Sequence, residues 1–120
     1  GNYIAGAFAA DDQLFYDVSE SARVAGEELW RLPISEFQRE VLKSEVADLK
    51  NAGDRAGGAI SAALFLKEFV SDTPWLHLDI AGPSQSPKER GYQSKGATGY
   101  GVRTLVEFIS RRTQQLAAQS

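Results

Sequence analysis

A single histidine, His77, stands two residues before Asp79 in the stretch Trp75–Ala81. On a strand, residues two apart share a face, so this pair suits two metal ligands or a base with its orienting carboxylate. Two ligands do not hold a metal, and no third partner is obvious in the sequence. A hydrogen-bonded, buried histidine is the commoner role for such a residue and is the expectation here. Asp79 is the more unusual of the two, because a carboxylate in an apolar strand needs a partner, by default the backbone or an arginine. The chain contains no cysteine, which removes thiolate nucleophiles, disulfides and cysteine-based zinc sites. No Ser-His-Asp or Cys-His set is readable.

Two glycine-bearing loops stand before apolar stretches. Gly53-Asp-Arg-Ala-Gly-Gly58 offers backbone N–H groups to an anion at a helix start. It lacks the Gly-Lys-Ser/Thr ending of a phosphate loop and no clear strand precedes it, so a packing loop is favoured. Gly96-Ala-Thr-Gly-Tyr-Gly101 also precedes a helix, but its glycines are not in dinucleotide order and do not follow a strand. Composition and spacing alone leave the function open.

The elements that must position these groups centre on Gly53–Val70. From Ala59 to Val70 only Ser61, Lys67 and Glu68 are polar, and a helix apolar on nearly every face is expected to be buried. Ala59, Ala62 and Ala63 allow close approach, while Ile60, Leu64, Phe65, Leu66 and Phe69 are each worth about 1.5–3 kcal/mol when fully buried. Tyr3–Ala9 reads as a strand covered on both faces, with a buried helix left open by its periodicity. Asp11 or Asp12 then caps a helix with Leu14, Val18, Ala22, Ala25 and Leu29 on its apolar side and Glu20, Arg23 and Glu27 on its wet side. Trp30–Ile34 breaks that pattern, with Pro33 pushing Leu32 toward an extended conformation. Ser35 and Gln38 make a capping box for a helix carrying Phe37, Val41 and Leu42, and Ala47–Ala52 reads as a connection.

Ser71–Pro74 is a turn, followed by a strand over Trp75–Ala81 with Leu76, Leu78 and Ile80 on one face, ended by Gly82-Pro83. Gly82–Gly99 is a long polar segment, of the kind that is functional or mobile. Val102, Leu105, Val106 and Ile109 mark a last helix, and the tail from Thr113 is expected to fray. The order strand–helix–helix–helix–strand–helix belongs to the α/β class. Two strands do not make a self-sufficient sheet. Either a strand is hidden within the helical readings or further strands lie outside this chain. The absence of methionine favours the second, because such a chain does not begin at a translation start.

At 120 residues the chain is at most one domain, and 42% hydrophobic content with balanced charge suits a soluble globular protein. A net charge of −3 argues against nucleic acid as the main partner. Arg111-Arg112 reads as cations in the last turns of a helix. No apolar run approaches the ~20 residues that cross a bilayer, and Gly1-Asn2 brings no basic leader.

Five blocks then occur in order: Gly26–Pro33, Ser44–Asn51, Ala56–Val70, Trp75–Gly82 and Gly96–Leu105. Together they closely resemble the C-terminal end of the leucyl aminopeptidase (cytosol aminopeptidase) family of dinuclear M17-type metallopeptidases. The resemblance implies an α/β/α sandwich around a mixed central sheet, incomplete in this chain, with residues 1–120 forming the C-terminal segment of a single catalytic domain. It also implies removal of N-terminal residues from peptides by two divalent ions (manganese, zinc or magnesium), a homo-hexamer of two stacked trimers, and a cytoplasmic location with organelles left open.

The family's metal ligands, a lysine and several carboxylates, lie upstream with its Asn-Thr-Asp-Ala-Glu-Gly-Arg motif and are not in this chain. Its Thr-Leu-Thr-Gly segment lies just before Gly1. The resemblance therefore implies that this chain alone neither holds the metals nor performs the reaction. What carries over is pocket wall. Ala81 matches a residue lining the pocket for the substrate's N-terminal side chain. Ser84 falls where relatives often place a larger apolar pocket residue, and Gly58 matches a position near the leaving-residue side. His77 and Asp79 lie in the motif without being family ligands. Some relatives bind DNA, which nothing in this acidic segment supports. A reading from another class is a non-catalytic assembly or peptide-binding remnant.

Overall fold

The computed structural model describes residues 1–35, 37 and 58–120. At its centre lies β1 (Ile4–Ala9), whose Ala5, Ala7 and Phe8 are fully buried. Small side chains on a central strand let neighbours approach from both faces, as the unbroken apolar run predicts. β1 pairs in parallel with β2 (Glu28–Arg31), Ile4 opposite Glu28 and Ala7 opposite Arg31. It pairs antiparallel with β3 (Leu76–Asp79), Gly6 opposite Asp79 and Ala9 opposite Leu76. The sheet is therefore mixed, in the order β2-β1-β3.

β2 is the strand hidden in the helical reading. The spacing places Leu29 as the last apolar residue of the first helix, yet α1 (Asp12–Ala25) stops before it. Gly26 takes a left-handed φ of 77°, a conformation that glycine adopts without steric cost. The Glu27 N–H then donates to the Ala22 carbonyl at 2.8 Å, closing the helix C-terminus. The chain turns there and returns beside β1, making a β-α-β unit. At the other end of α1, the Asp11 carboxylate accepts the Leu14 N–H at 2.7 Å, the expected cap. Val18, Ala22 and Ala25 are buried as the spacing predicts. Arg31 ties the unit together, donating to the Ala9 carbonyl at 3.0 Å and the Asp12 carboxylate at 2.7 Å. Glu27, expected on the wet side, is buried instead.

α2 (Gly58–Lys67) packs on β1 with Ala63 and Leu64 buried. Its predicted extent to Val70 ends early in successive tight turns, such as Val70 N–H to the Lys67 carbonyl at 3.3 Å. The expectation of a helix buried all round does not hold: Phe65 and Leu66 are exposed, and Phe69 is 72% exposed. Among the described residues the sheet is three strands wide, too narrow to cover more than one side of this helix. Phe65 and Phe69 meet edge-on, their centroids 5.2 Å apart.

α3 (Val102–Ala118) packs on α1 and runs well past Thr113, where fraying was expected. Leu116, Ala117 and Ala118 are strong helix formers, and Arg112 reaches Asp17 of α1 at 3.6 Å. The buried residue of α3 is Thr104, while the apolar stripe Val102, Leu105, Val106 and Ile109 is exposed.

Gly82–Gly99 has more structure than its composition suggests. β4 (Gln85–Ser86) pairs antiparallel with β5 (Gly96–Ala97), and Arg90 and Gln93 exchange backbone hydrogen bonds at 2.9 Å. The predicted helix beginning at Ser35, the connection Ala47–Ala52 and the loop residues 53–57 lie outside the described residues, apart from Ser35 and Phe37. Among the described residues no helix is long and apolar enough to cross a membrane.

Candidate functional site

β3 delivers the chain to Ala81, and a tight turn takes it away. The Asp79 carboxylate accepts the Ala81 N–H at 3.0 Å, which supplies the backbone partner its position demands. The Ser84 N–H donates to the Ile80 carbonyl at 2.9 Å, and its hydroxyl to the Ala81 carbonyl at 3.3 Å. Gly82 lies against the start of the chain. A Cβ there would stand 1.9 Å from the Gly1 carbonyl oxygen and 2.7 Å from its carbon. Only glycine lets the turn lie so close to another backbone.

This turn forms one wall of a cleft of about 530 Å³. Ala81 and Gly82 line it together with Gly1, Trp30, Leu32 and Ala59. Of the three expected site residues, Ala81 lines this cleft. Ser84 does not, and its N–H and hydroxyl are spent within the turn. Gly58 does not line it either and has open space around it, although its neighbour Ala59 belongs to the lining. Trp30 and Leu32 escape a reading that takes Trp30–Ile34 as a mere break. The signal available was the alternation of Trp30 with Leu32 just before Pro33, which is strand-like.

His77 is half-buried and held by rings. It stacks on Trp75 with centroids 6.1 Å apart and planes 7° apart, and lies 5.9 Å from Phe8. These ring contacts account for its place in the strand. Among the described residues no three His, Cys, Asp or Glu side chains come together as a metal site. These residues therefore do not fit a pair of divalent ions.

Behind the turn a second cavity of about 290 Å³ is bordered by Tyr3, Glu27, Glu28, Pro83, Arg90 and Tyr100. The Arg90 guanidinium sits 3.9 Å from the centroid of the Tyr3 ring. Glu27 is the anchor of this region. One carboxylate oxygen accepts the Gly101 N–H at 2.9 Å; the other accepts the Thr104 N–H at 3.1 Å and the Thr104 hydroxyl at 2.6 Å. Gly101, the residue before α3, has no side chain to cap it, so a carboxylate from the α1–β2 turn does so. The Tyr100 hydroxyl donates to the Glu28 carbonyl. Thr98 bonds to Pro83 through its hydroxyl, at 2.6 Å, and to the Ser84 carbonyl through its N–H, at 2.9 Å. None of these three residues stands out by type. The one local clue is a helix start at Gly101 with no capping side chain, which calls for an acceptor from elsewhere.

Burial raises the Tyr100 pKa above its ordinary value, with the Glu27 and Glu28 carboxylates adding to the effect and a backbone hydrogen bond opposing it. A raised folded-state value means stability fully present below the unfolded value of about 10 and lost as pH climbs through the folded one. Tyr100→Phe is expected to cost about 1 kcal/mol at neutral pH, through the lost hydrogen bond. Above about pH 10 its melting temperature should fall less steeply than that of the parent, as a series of melts at rising pH would read.

The sequence profile of the cytosol aminopeptidase family, catalytic domain, matches residues 1–106. A probable cytosol aminopeptidase of Synechococcus sp. (strain JA-3-3Ab) is 55% identical over 120 residues, all of this chain and 23% of that relative. One from Cyanothece sp. (strain PCC 7425 / ATCC 29141) is 55% identical over 109 residues, 91% of this chain and 22% of its own length. Among solved structures, a mutant of tomato leucine aminopeptidase superposes with a TM-score of 0.79 at 51% identity, over 92% of this chain and 21% of that one. The bottromycin maturation enzyme BotP in complex with Mn superposes with a TM-score of 0.86 at 39% identity, over 93% of this chain and 25% of that one. The chain thus spans less than a quarter of the length of these curated relatives, and its mixed sheet with flanking helices is part of a larger α/β domain. By the profile match and the identity along its whole length, this chain belongs to the cytosol aminopeptidase family.

Proposed function

We propose that this chain is the C-terminal segment of the catalytic domain of a leucyl aminopeptidase-like metalloexopeptidase, which releases N-terminal amino acids from peptides. The observation that supports this most is the family match combined with Ala81 on the wall of an apolar-sided cleft. In this reading residues 1–120 form one incomplete domain. Ala81 gives the wall on which the substrate's N-terminal side chain rests. Ser84 holds the turn behind that wall, and Gly58 opens α2 on the leaving-residue side. The small side chain of Ala81 keeps the cleft open, and Trp30 and Leu32 favour an apolar guest.

The two divalent ions, manganese, zinc or magnesium, belong with the remainder of the aminopeptidase chain, since the described residues do not fit them. The partners are a peptide substrate, that remainder, and further copies in a homo-hexamer. The setting is cytoplasmic, as the relatives' names suggest. With a net charge of −3, nucleic acid is not among the partners.

Hydrolysis of a leucine anilide with added manganese tests this. Residues 1–120 alone are expected to show none, and the full-length protein is expected to turn it over. In the full-length protein Ala81→Phe should raise KM for the leucine substrate about tenfold or more by filling the wall. A full-length protein without hydrolysis would overturn the proposal. The exposed stripe Val102, Leu105, Val106 and Ile109 favours a second reading, a non-catalytic assembly or peptide-binding remnant. Mass measurement on the natural protein separates them: a folded, metal-free species of only this length supports the remnant.

A further inference from the structure

We propose that Thr98 is a positioning residue that fixes the Ala81 wall and thereby sets selectivity for the substrate's N-terminal side chain, an inference that rests on the aminopeptidase reading above. The turn's own hydrogen bonds are local. Ala81 N–H to Asp79, Ser84 N–H to Ile80 and Ser84 hydroxyl to Ala81 all join residues within four positions of each other. Such bonds shape the turn; its placement past β3 relative to the rest of the cleft lining needs contacts from further along the chain.

Thr98 supplies that placement. Its hydroxyl donates to the Pro83 carbonyl at 2.6 Å while accepting the Tyr100 N–H at 3.2 Å. Its N–H donates to the Ser84 carbonyl at 2.9 Å. One residue thus holds two consecutive carbonyls on the exit of the turn. Pro83 is buried and has no N–H, so its carbonyl is the one backbone group through which it can be held.

Thr98 is itself anchored. The Tyr100 hydroxyl bonds to the Glu28 carbonyl, and the Gly101 N–H to the Glu27 carboxylate. Glu28 opens β2, the strand that carries Trp30 of the cleft lining. The two walls, already joined through the β2-β1-β3 sheet, are joined a second time through Thr98, whose hydroxyl supplies the bond to Pro83.

The test uses the full-length protein with Thr98→Val, which keeps the shape and backbone N–H but removes the hydroxyl, and Thr98→Ser, which restores it. With leucine anilide, Thr98→Val is expected to raise KM about tenfold, the effect of losing one to two hydrogen bonds, with kcat within about twofold. Its preference for leucine over alanine anilide should fall, and Thr98→Ser should recover both values. Amide exchange across residues 80–86 should quicken about tenfold in Thr98→Val. Unchanged KM and selectivity in an active Thr98→Val variant would overturn the proposal. So would losses of kcat that track melting temperature and are not recovered by Thr98→Ser. A full-length parent without hydrolysis overturns the aminopeptidase reading instead, and the exchange measurement still judges the clamp: unchanged exchange refutes it and faster exchange supports it.

Discussion

Glu27→Ala is expected to lower stability by about 3 kcal/mol. The carboxylate accepts from the Gly101 N–H, the Thr104 N–H and the Thr104 hydroxyl, all in buried surroundings. Gly101 and Thr104 occupy the cap and third positions of α3, so one remote side chain satisfies both N–H groups that a capping box would satisfy from within the helix. Removing it leaves three donors unpaired, at about 1–3 kcal/mol for each that water cannot reach, and takes a negative charge from the helix N-terminus. Partial entry of water into the vacated space keeps the total near the lower end. Glu27→Gln retains one acceptor and turns an amide N–H toward a donor, so a smaller loss of about 1–2 kcal/mol is expected. Denaturant midpoints of the two variants against the parent read this directly. Changes below about 0.5 kcal/mol in both would show that α3 is capped by something else.

Gly82→Ala should cost about 3 kcal/mol and weaken binding at the cleft. The added Cβ would fall 1.9 Å from the Gly1 carbonyl oxygen, and that obstacle is backbone, not the tip of a flexible side chain. Overpacking of this kind costs about 1–3 kcal/mol, with the upper end expected where backbone must move. The displaced element is the turn that carries Ala81, so KM for a leucine anilide should rise along with the loss of stability. Gly58→Ala is the control. A Cβ at Gly58 meets nothing within 4 Å, and alanine is the better helix former, so its stability should match or slightly exceed that of the parent. Equal melting temperatures for Gly82→Ala and Gly58→Ala would refute the close approach.

Much of the fold was legible because its signals are local. β1 is an uninterrupted apolar run, Asp11 stands one residue before α1 and caps it, and Asp79 takes a backbone partner two residues away. β2 was not legible, because Leu29 continues the spacing of α1 and a four-residue strand has too little periodicity to outweigh that of a helix. The overlooked cue was Gly26, whose left-handed φ ends the helix. The apolar run of α2 and the spacing of Val102, Leu105, Val106 and Ile109 in α3 each identify a helix, but the burial all round that the run of α2 predicts does not hold. Periodicity identifies an apolar face without saying what lies against it.

The candidate site divides in the same way. Ala81 emerged from the resemblance of the Asp79-Ile-Ala-Gly82 stretch, and the structure sets it on a cleft wall. That Gly1, Trp30, Leu32 and Ala59 share this cleft depends on contacts between residues up to 81 positions apart, which leave no mark on local spacing. Glu27 reads as an ordinary surface carboxylate until Gly101 and Thr104 are brought to it from 74 and 77 positions away. By itself the sequence determined the family, the central strand and the starts of α1, α2 and α3, because each rests on neighbouring residues or on a motif read in order. Only the tertiary structure decided which strand completes the sheet, which carboxylate caps α3 and which residues face Ala81. Those outcomes depend on desolvation and hydrogen-bond satisfaction between segments that meet only once the chain has folded.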